Sequence, residues 1–314
     1  METHRQLQIT AFGAPSVLQL NTQPAPSPSK GEVVVKVAFA GVNPVDAKTR
    51  AGLGWAADKC KDHLPWTPGF DVSGVIVAVG DGVSSLREGD RVAAVTLEGG
   101  CYAEYLTIDA ELLSCVPSNV GLDSAAALPL AGQTAYQALV KAGVTEGQRV
   151  LILAGAGGVG HLAIQLATTM GAQVYATCSS ANIAFVQAMG ASALDYTQGP
   201  LELSDVDVLI DLVGGDAGVA ALDCVKVGGH VITVPSVTAA KVCEVAVSKG
   251  LTAAGMLVTP DKQQCDYLLT MLADEQLSVH VSERYWLAKG EQAHQAIETG
   301  RTRGKLLLTV SDVN

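Results

Sequence analysis

Positive charge, aromatic rings and long apolar runs are all in short supply in this sequence. Twenty Lys and Arg stand against 31 Asp and Glu, a net charge of −11. That excludes a general binder of phosphate backbones, because such binding is carried by cationic surface. Aromatic residues make up 4% of the chain, too few for the stacking platforms that hold unpaired bases. Apolar runs are broken at Lys36, at Pro129 and at glycine clusters, well short of the ~18 residues a membrane-spanning helix needs. The opening residues 1–8 have no apolar core of the kind a signal peptide carries, so a cytosolic protein is expected. Cys60, Cys101, Cys115, Cys178, Cys224, Cys243 and Cys265 form an odd, scattered set with no Cys-x-x-Cys pair. They read as reduced thiols in a reducing compartment, not as a disulfide framework.

What is present is hydrophobic and glycine-rich: 48% apolar residues and 33 glycines in 314 residues. That is about twice the ~150-residue length prior for one domain. Residues 32–40, 72–79 and 91–95 are short apolar, β-branched runs separated by Gly, Asp and Pro, which predicts a β-rich, barrel-like domain. The period then changes. Residues 124–143 are Ala/Leu-rich and predict helix interrupted near Pro129. Strands are predicted at 150–154, 173–177, 207–213, 230–234 and 251–258, with helices at 159–170 and 181–189. Strands alternating with helices predict parallel βαβ units in a doubly wound sheet. A last strand at 304–310 has no helix after it and is expected to return to the β-rich domain.

Gly155, Gly157 and Gly160 form a G-x-G-x-x-G. The pattern alone is weak, and a glycine-rich turn without a ligand is the competing reading. Here it follows a predicted strand and opens a predicted helix, which is the context for binding a dinucleotide pyrophosphate at a helix N-terminus. NAD-binding folds place an Asp or Glu about 20 residues further on, at the ribose 2′-hydroxyl. Residues 177–182 hold no carboxylate. A carboxylate would repel a 2′-phosphate, whereas Ser179 and Ser180 can donate to one, so NADP(H) is expected over NAD(H). No Arg or Lys sits in that loop. Ser180 could equally cap the helix that follows.

The sequence resembles the zinc-free branch of the medium-chain dehydrogenase/reductase superfamily, the quinone oxidoreductases related to ζ-crystallin and the alkenal reductases. The resemblance rests on GVNPVD at 41–46, PGFDVSG at 68–74, GCYAEY at 100–105, LPLAGQTA at 128–135, AGGVG at 156–160, DLVGG at 211–215 and Gly304-Lys305. It implies a GroES-like β-rich domain from residues 1–123 and 285–314 around a Rossmann cofactor domain at 124–284, and a homodimer. Where zinc-dependent relatives have Cys, His and Cys ligands, this chain has Asn43, Phe70 and Leu130. Phe and Leu cannot ligate, so no metal is expected. Cys60 and His63 read as an ordinary surface pair.

The resemblance implies an NADPH-dependent reductase that adds hydride to a quinone, enal or enone. Asn43 would line the nicotinamide and substrate pocket, and Thr134 would contact the carboxamide side. Gly155, Gly157, Gly158 and Val159 would bind the pyrophosphate, and Ser179, Ser180 and Tyr196 the 2′-phosphate. Val213, Val234 and Leu257 would border ribose and nicotinamide. Lys48 would stabilise a developing enolate oxygen or help hold phosphate. Trp55, Tyr102 and Gln133 would shape the acceptor pocket. Each has a plainer reading: Asn43 as a turn residue, Thr134 as a helix hydroxyl, Tyr196 and Tyr102 as packing, Lys48 as solvated. Two other functions compete, a nucleotide-binding protein with little turnover and a zinc-dependent alcohol dehydrogenase with displaced ligands.

Overall fold

The computed structural model describes residues 3–312. Two compact units are built from three stretches of chain: Met1–Gln133 with Pro260–Asn314, and Thr134–Thr259. In chain order the first stretch gives β1 (Thr3–Ile9), β2 (Leu18–Pro24), β3 (Glu32–Val42), α1 (Pro44–Arg50) and α2 (Trp55–Cys60). It continues with β4 (Asp71–Val79), β5 (Arg91–Val95), β6 (Tyr105–Asp109), β7 (Ser114–Cys115) and α3 (Leu122–Ala127). Helix α4 (Pro129–Lys141) carries the chain into the second unit. There follow β8 (Arg149–Ile152), α5 (Gly160–Thr169), β9 (Gln173–Cys178), α6 (Ile183–Ala188), β10 (Ser192–Asp195) and β11 (Val206–Asp211). That unit closes with α7 (Gly215–Ala221), β12 (Val225–Thr233), α8 (Ala239–Ser248) and β13 (Thr252–Gly255). The last stretch adds α9 (Lys262–Ala273), β14 (Val281–Trp286), α10 (Gly290–Glu298) and β15 (Lys305–Thr309).

In the first unit a sheet runs β14-β15-β3-β4-β5-β7, with β6 also on β3. The long β3 is buried on both faces because its Val-rich run meets apolar neighbours everywhere. The polar β14, with Ser282, Glu283 and Arg284 exposed, is an edge strand. The C-terminal β15 pairs antiparallel with β3, Leu306 opposite Val42 and Thr309 opposite Phe39. The β1–β2 pair was not foreseen, since its Gln- and Thr-rich strands carry little apolar signal.

In the second unit six parallel strands run β10-β9-β8-β11-β12-β13. This is the doubly wound 3-2-1-4-5-6 order, which reverses between β8 and β11 and leaves a ligand crevice at the strands' carboxyl ends. The expected strand at 207–213 stops at Asp211 because Asp211 Oδ1 accepts from the N–H groups of Val213 (2.9 Å) and Gly214 (2.7 Å), which turns the chain. The expected helix at 181–189 divides into a 3-10 turn, Ser180–Asn182, and α6.

The units meet along the sequence at Gln133/Thr134 and Thr259/Pro260, not at the expected 123/124 and 284/285. The reason is hydrogen bonding. Helix α9 belongs to the β-rich unit, since Ser114 Oγ donates to Lys262 O (3.3 Å) and Asn119 Nδ2 to Ala273 O (2.8 Å). Gln133 Oε1 accepts from Asp261 N (2.8 Å) in the same unit.

Candidate functional site

The turn after β8 is tight. Ala154 takes φ +53°, and the N–H of Gly155 donates to Thr177 O (2.8 Å) while that of Ala154 reaches Thr177 Oγ1 (3.0 Å). A Cβ on Gly160 would lie 2.2 Å from Ala154 O, so only glycine lets α5 begin this close to β8. At Gly157 a Cβ would meet only Ala154 O, at 3.2 Å, so a glycine there leaves backbone approachable from outside. Gly157, Gly158 and Val159 are half-buried. They lead into a helix of 10 residues in which the N–H groups of His161 and Ala163 already donate to Gly157 O (3.1 Å) and Val159 O (2.9 Å), so the amides of Gly158, Val159 and Gly160 are the ones left for an anion. His161 is fully buried and donates from Nδ1 to Gly157 O (2.9 Å), which braces the loop. These residues fit a pyrophosphate.

Ser179 and Ser180 lie just beyond β9, and Tyr196 just beyond β10, its N–H on Cys178 O (3.2 Å) and its ring exposed. The structure brings these three together, and adds a residue the sequence reading missed. Asp195 is in parallel register with Cys178. Its Oδ2 accepts from Ser180 Oγ (2.5 Å), and its Oδ1 from Thr197 Oγ1 (2.6 Å) and Thr197 N (2.9 Å). These donors bring its carboxyl down to about 2, Ser180 first and Thr197 next. Ser180 therefore does not cap a helix with its hydroxyl. Ser179 Oγ accepts from Asn182 Nδ2 (3.1 Å) and keeps its own proton to donate.

Val213, half-exposed Leu257 and Val234 follow the later strands at the same edge of the sheet. Asp211 organises them: besides the turn amides, its Oδ2 accepts from Thr233 Oγ1 (2.8 Å) and its backbone carbonyl from Val234 N (2.9 Å). Exposed apolar side chains beside a polar turn are what a nucleoside-binding crevice presents. Thr134 opens the unit in α4 and is buried.

In the β-rich unit, Asn43 precedes Pro44 as the N-cap of α1, in extended conformation. It is not a free pocket residue. Its Oδ1 accepts from the ammonium of Lys305, and its Nδ2 donates to Asp71 Oδ2 (2.8 Å). Lys305 Nζ lies 3.1 Å from the same Asp71 oxygen, and Asp71 Oδ1 accepts from Leu130 N (2.6 Å). Asn43, Asp71 and Lys305 are 3%, 0% and 2% exposed. Glycine at 41 makes room, since a Cβ there would sit 2.5 Å from Asp71 Oδ2. Of the three residues expected in place of zinc ligands, Asn43 is the one bonded to the Lys305 ammonium. Phe70 is buried with ring centroids 5.8 Å from Trp55 and 6.0 Å from Trp66, and Leu130 contributes a backbone amide. Among the described residues no group of three or more His, Cys, Asp or Glu is placed to hold a metal ion. Lys305 was legible only as part of a motif; a lysine opening a run of three leucines is the signal that could have marked it.

One turn on, Asp46 is fully buried and Oδ2 accepts from Asn43 N (2.6 Å). Its carboxyl is pushed up to about 7, chiefly by burial, against the pull of the Asn43 N–H, with the Asp71 charge pushing further. Tyr102, expected to shape an acceptor pocket, is instead wholly buried beside Asp46, and burial drives its phenol well above the ordinary value. Gln133 is buried too, committed to Asp261. Lys48 lies half-buried on α1, and its ammonium is in no ion pair among the described residues. Trp55 is half-buried at the start of α2.

Two families match: Zinc-binding dehydrogenase over residues 189–308 and Alcohol dehydrogenase GroES-like domain over residues 29–120. The chain is 41% identical over 237 residues to 2-methylene-furan-3-one reductase of Solanum lycopersicum and 40% identical over 235 residues to NADPH-dependent alkenal/one oxidoreductase of Arabidopsis thaliana. These matches take in 71% and 70% of this chain but only 60% of each relative's length. Quinone oxidoreductase of Sus scrofa is 32% identical over 96% of both chains. Among solved structures, quinone oxidoreductase of Coxiella burnetii superposes with a TM-score of 0.95 at 39% identity, covering 99% of this chain and 100% of that one. Quinone oxidoreductase of Escherichia coli, solved with NADPH, gives 0.88 at 26% identity over 97% and 99%. With its GroES-like sheet, its doubly wound sheet and these relatives, the chain belongs to the medium-chain dehydrogenase/reductase superfamily, among the homologues of quinone oxidoreductases and alkenal reductases.

Proposed function

We propose that the protein is a zinc-independent, NADPH-dependent reductase of quinones or α,β-unsaturated carbonyls. The observation that carries the zinc-free part is the buried Lys305 ammonium, hydrogen-bonded to Asp71 and to Asn43, the residue expected in place of one zinc ligand. A buried ammonium engages both Asn43 Oδ1 and Asp71 Oδ2, and Phe70 and Leu130 offer no ligating side chain. Without a Lewis acid, ionising a plain alcohol is disfavoured, and reduction of an already activated acceptor is favoured. The relatives' names point to the same acceptors.

When bound, the reduced dinucleotide supplies the hydride. The residues of this chain bind and orient. Gly155, Gly157, Gly158 and Val159 cradle pyrophosphate, Ser179 donates to the adenosine end, and Tyr196 flanks it. Val213, Val234 and Leu257 border the ribose and nicotinamide, and Thr134 meets the carboxamide. Asn43 is a positioning residue for the pocket wall, held by Lys305. Lys48 is the proposed donor to the oxygen that gains charge as hydride adds to the β-carbon. A homodimer and a cytoplasmic location belong to the same proposal, the latter on the seven free cysteines. Among the described residues no helix is long and apolar enough to cross a membrane.

The test is NADPH oxidation followed at constant pH with a panel of quinones, enals and enones. Turnover of at least one class is expected, insensitive to chelator. NADPH binding without turnover of any acceptor would instead favour a structural or sensing protein, and loss of activity to chelator would favour a metal enzyme. In the same assay Lys48→Met is expected to lower kcat by about tenfold with the KM for NADPH little changed. Unchanged kcat would remove Lys48 from the chemistry.

A further inference from the structure

The end of β9 is where a doubly wound fold reads the adenosine ribose, and this chain has no acid there. The acid arrives from the neighbouring strand instead. Asp195 ends β10 in register with Cys178, the last residue of β9. We propose that Asp195 is a specificity-determining residue for the dinucleotide: its carboxylate accepts from a ribose 2′-hydroxyl and opposes a 2′-phosphate, so the protein binds NADH as well as NADPH. This rests on the reductase reading above.

Two further observations support it. A serine or threonine hydroxyl has one proton, and those of Ser180 and Thr197 are both given to Asp195, at 2.5 and 2.6 Å. Neither remains to donate to a phosphate while the carboxylate holds it. Nor does the unit offset the carboxylate with a cation. From residue 150 to residue 225 there is no Lys or Arg, against seven Asp and Glu. The unit's five basic side chains are engaged elsewhere. Lys141 donates to Gly255 O, Arg149 lies over the Tyr175 ring, and Lys226, Lys241 and Lys249 pair with Asp207, Asp216 and Asp223. An anionic carboxylate and spent hydroxyls face the one position at which NADPH and NADH differ.

The Asp195→Asn variant keeps an acceptor for one of the two hydroxyls, Ser180 or Thr197, and removes the charge. Dissociation constants for NADPH and NADH, measured by calorimetric titration on the full-length protein, test the proposal without turnover. Wild type is expected to bind the two within about tenfold of each other. In Asp195→Asn, NADPH is expected to tighten by about five- to tenfold, with NADH changed by less than about threefold. Asp195→Ala, which also frees both hydroxyls, is expected to tighten NADPH at least as much and to weaken NADH. Unchanged NADPH-to-NADH ratios in both variants would overturn the role of Asp195 while leaving the reductase reading intact. A wild-type protein that binds neither dinucleotide would overturn both.

Discussion

Lys305→Met is expected to cost about 3–5 kcal/mol of unfolding free energy, the loss that follows when one partner of a buried ion pair is removed. Lys305 and Asp71 are 2% and 0% exposed, so the variant strands a carboxylate shielded from solvent. Asn43 Nδ2 and Leu130 N still donate to Asp71, but two neutral donors do not replace an ammonium. Asn43 Oδ1 also loses its partner. Against a usual total of about 5–15 kcal/mol, the variant keeps a fraction of the native stability. The pair itself is worth less than its breaking suggests, because burying two ions is costly. Adding Asp71→Asn to Lys305→Met is therefore expected to recover more than half of the loss. Asn presents an oxygen for one of the remaining donors and no charge. Urea unfolding of the two single variants and the double one gives the coupling energy. A Lys305→Met protein unfolding at the wild-type midpoint would refute the argument.

Asp46→Asn is expected to make the protein more stable at pH 8 and nearly indistinguishable from wild type at low pH. The folded Asp46 carboxyl sits near 7 where the unfolded one sits near 3.8. Below 3.8 both states hold the proton and the contribution is fully present; across the window up to about 7 only the folded state holds it. Stability accordingly falls as pH rises through that window and is lost above the folded value. The full span corresponds to about 4 kcal/mol as an upper bound. Asn keeps an acceptor for the Asn43 N–H and never ionises. The groups facing Asp46 are Asp71, Lys305 and Tyr102. His294, packed edge-on against Tyr102 and held near 3 by burial and then by Arg50, runs the opposite way: its contribution is present above 6.5 and lost as pH falls toward 3. Subtracting the wild-type from the variant profile cancels His294. Thermal midpoints should diverge from about pH 4 to about pH 7 and run parallel above it, and profiles parallel throughout would show that Asp46 is not held protonated by the fold.

The alternation of strand and helix, and the glycine loop, were legible because each is local: a β-branched run, a helix period, a turn that only glycine allows. The return of the C-terminal strand to the first sheet was legible from the missing helix. What sequence could not supply were partners brought together by pairing. Asp195 lies 35 residues past Gly160, outside the window in which an acid is sought, and only the register of β10 on β9 brings it to Ser180. The resemblance puts Tyr102 and Gln133 at an acceptor pocket; the fold buries both. The resemblance implies a cofactor domain that takes in residues 260–284, whereas α9 hydrogen-bonds to the β-rich unit.

Lys305 and Asn43 are 262 residues apart in sequence, and that separation imposes an order on assembly. During synthesis the stretch through Cys115 emerges first, yet the strand that sits between β14 and β3 is made last. Residues 134–259 have all their sheet partners in hand well before then. The unit of residues 134–259 can therefore fold ahead of the unit whose two stretches flank it in sequence. The first unit waits for residues 305–309, with an acid at Asp71 unneutralised and the edge of β3 unpaired. Delivery of β15 then closes the sheet and installs the cation in one event, so completion of the first unit waits on residues made after the whole of the second.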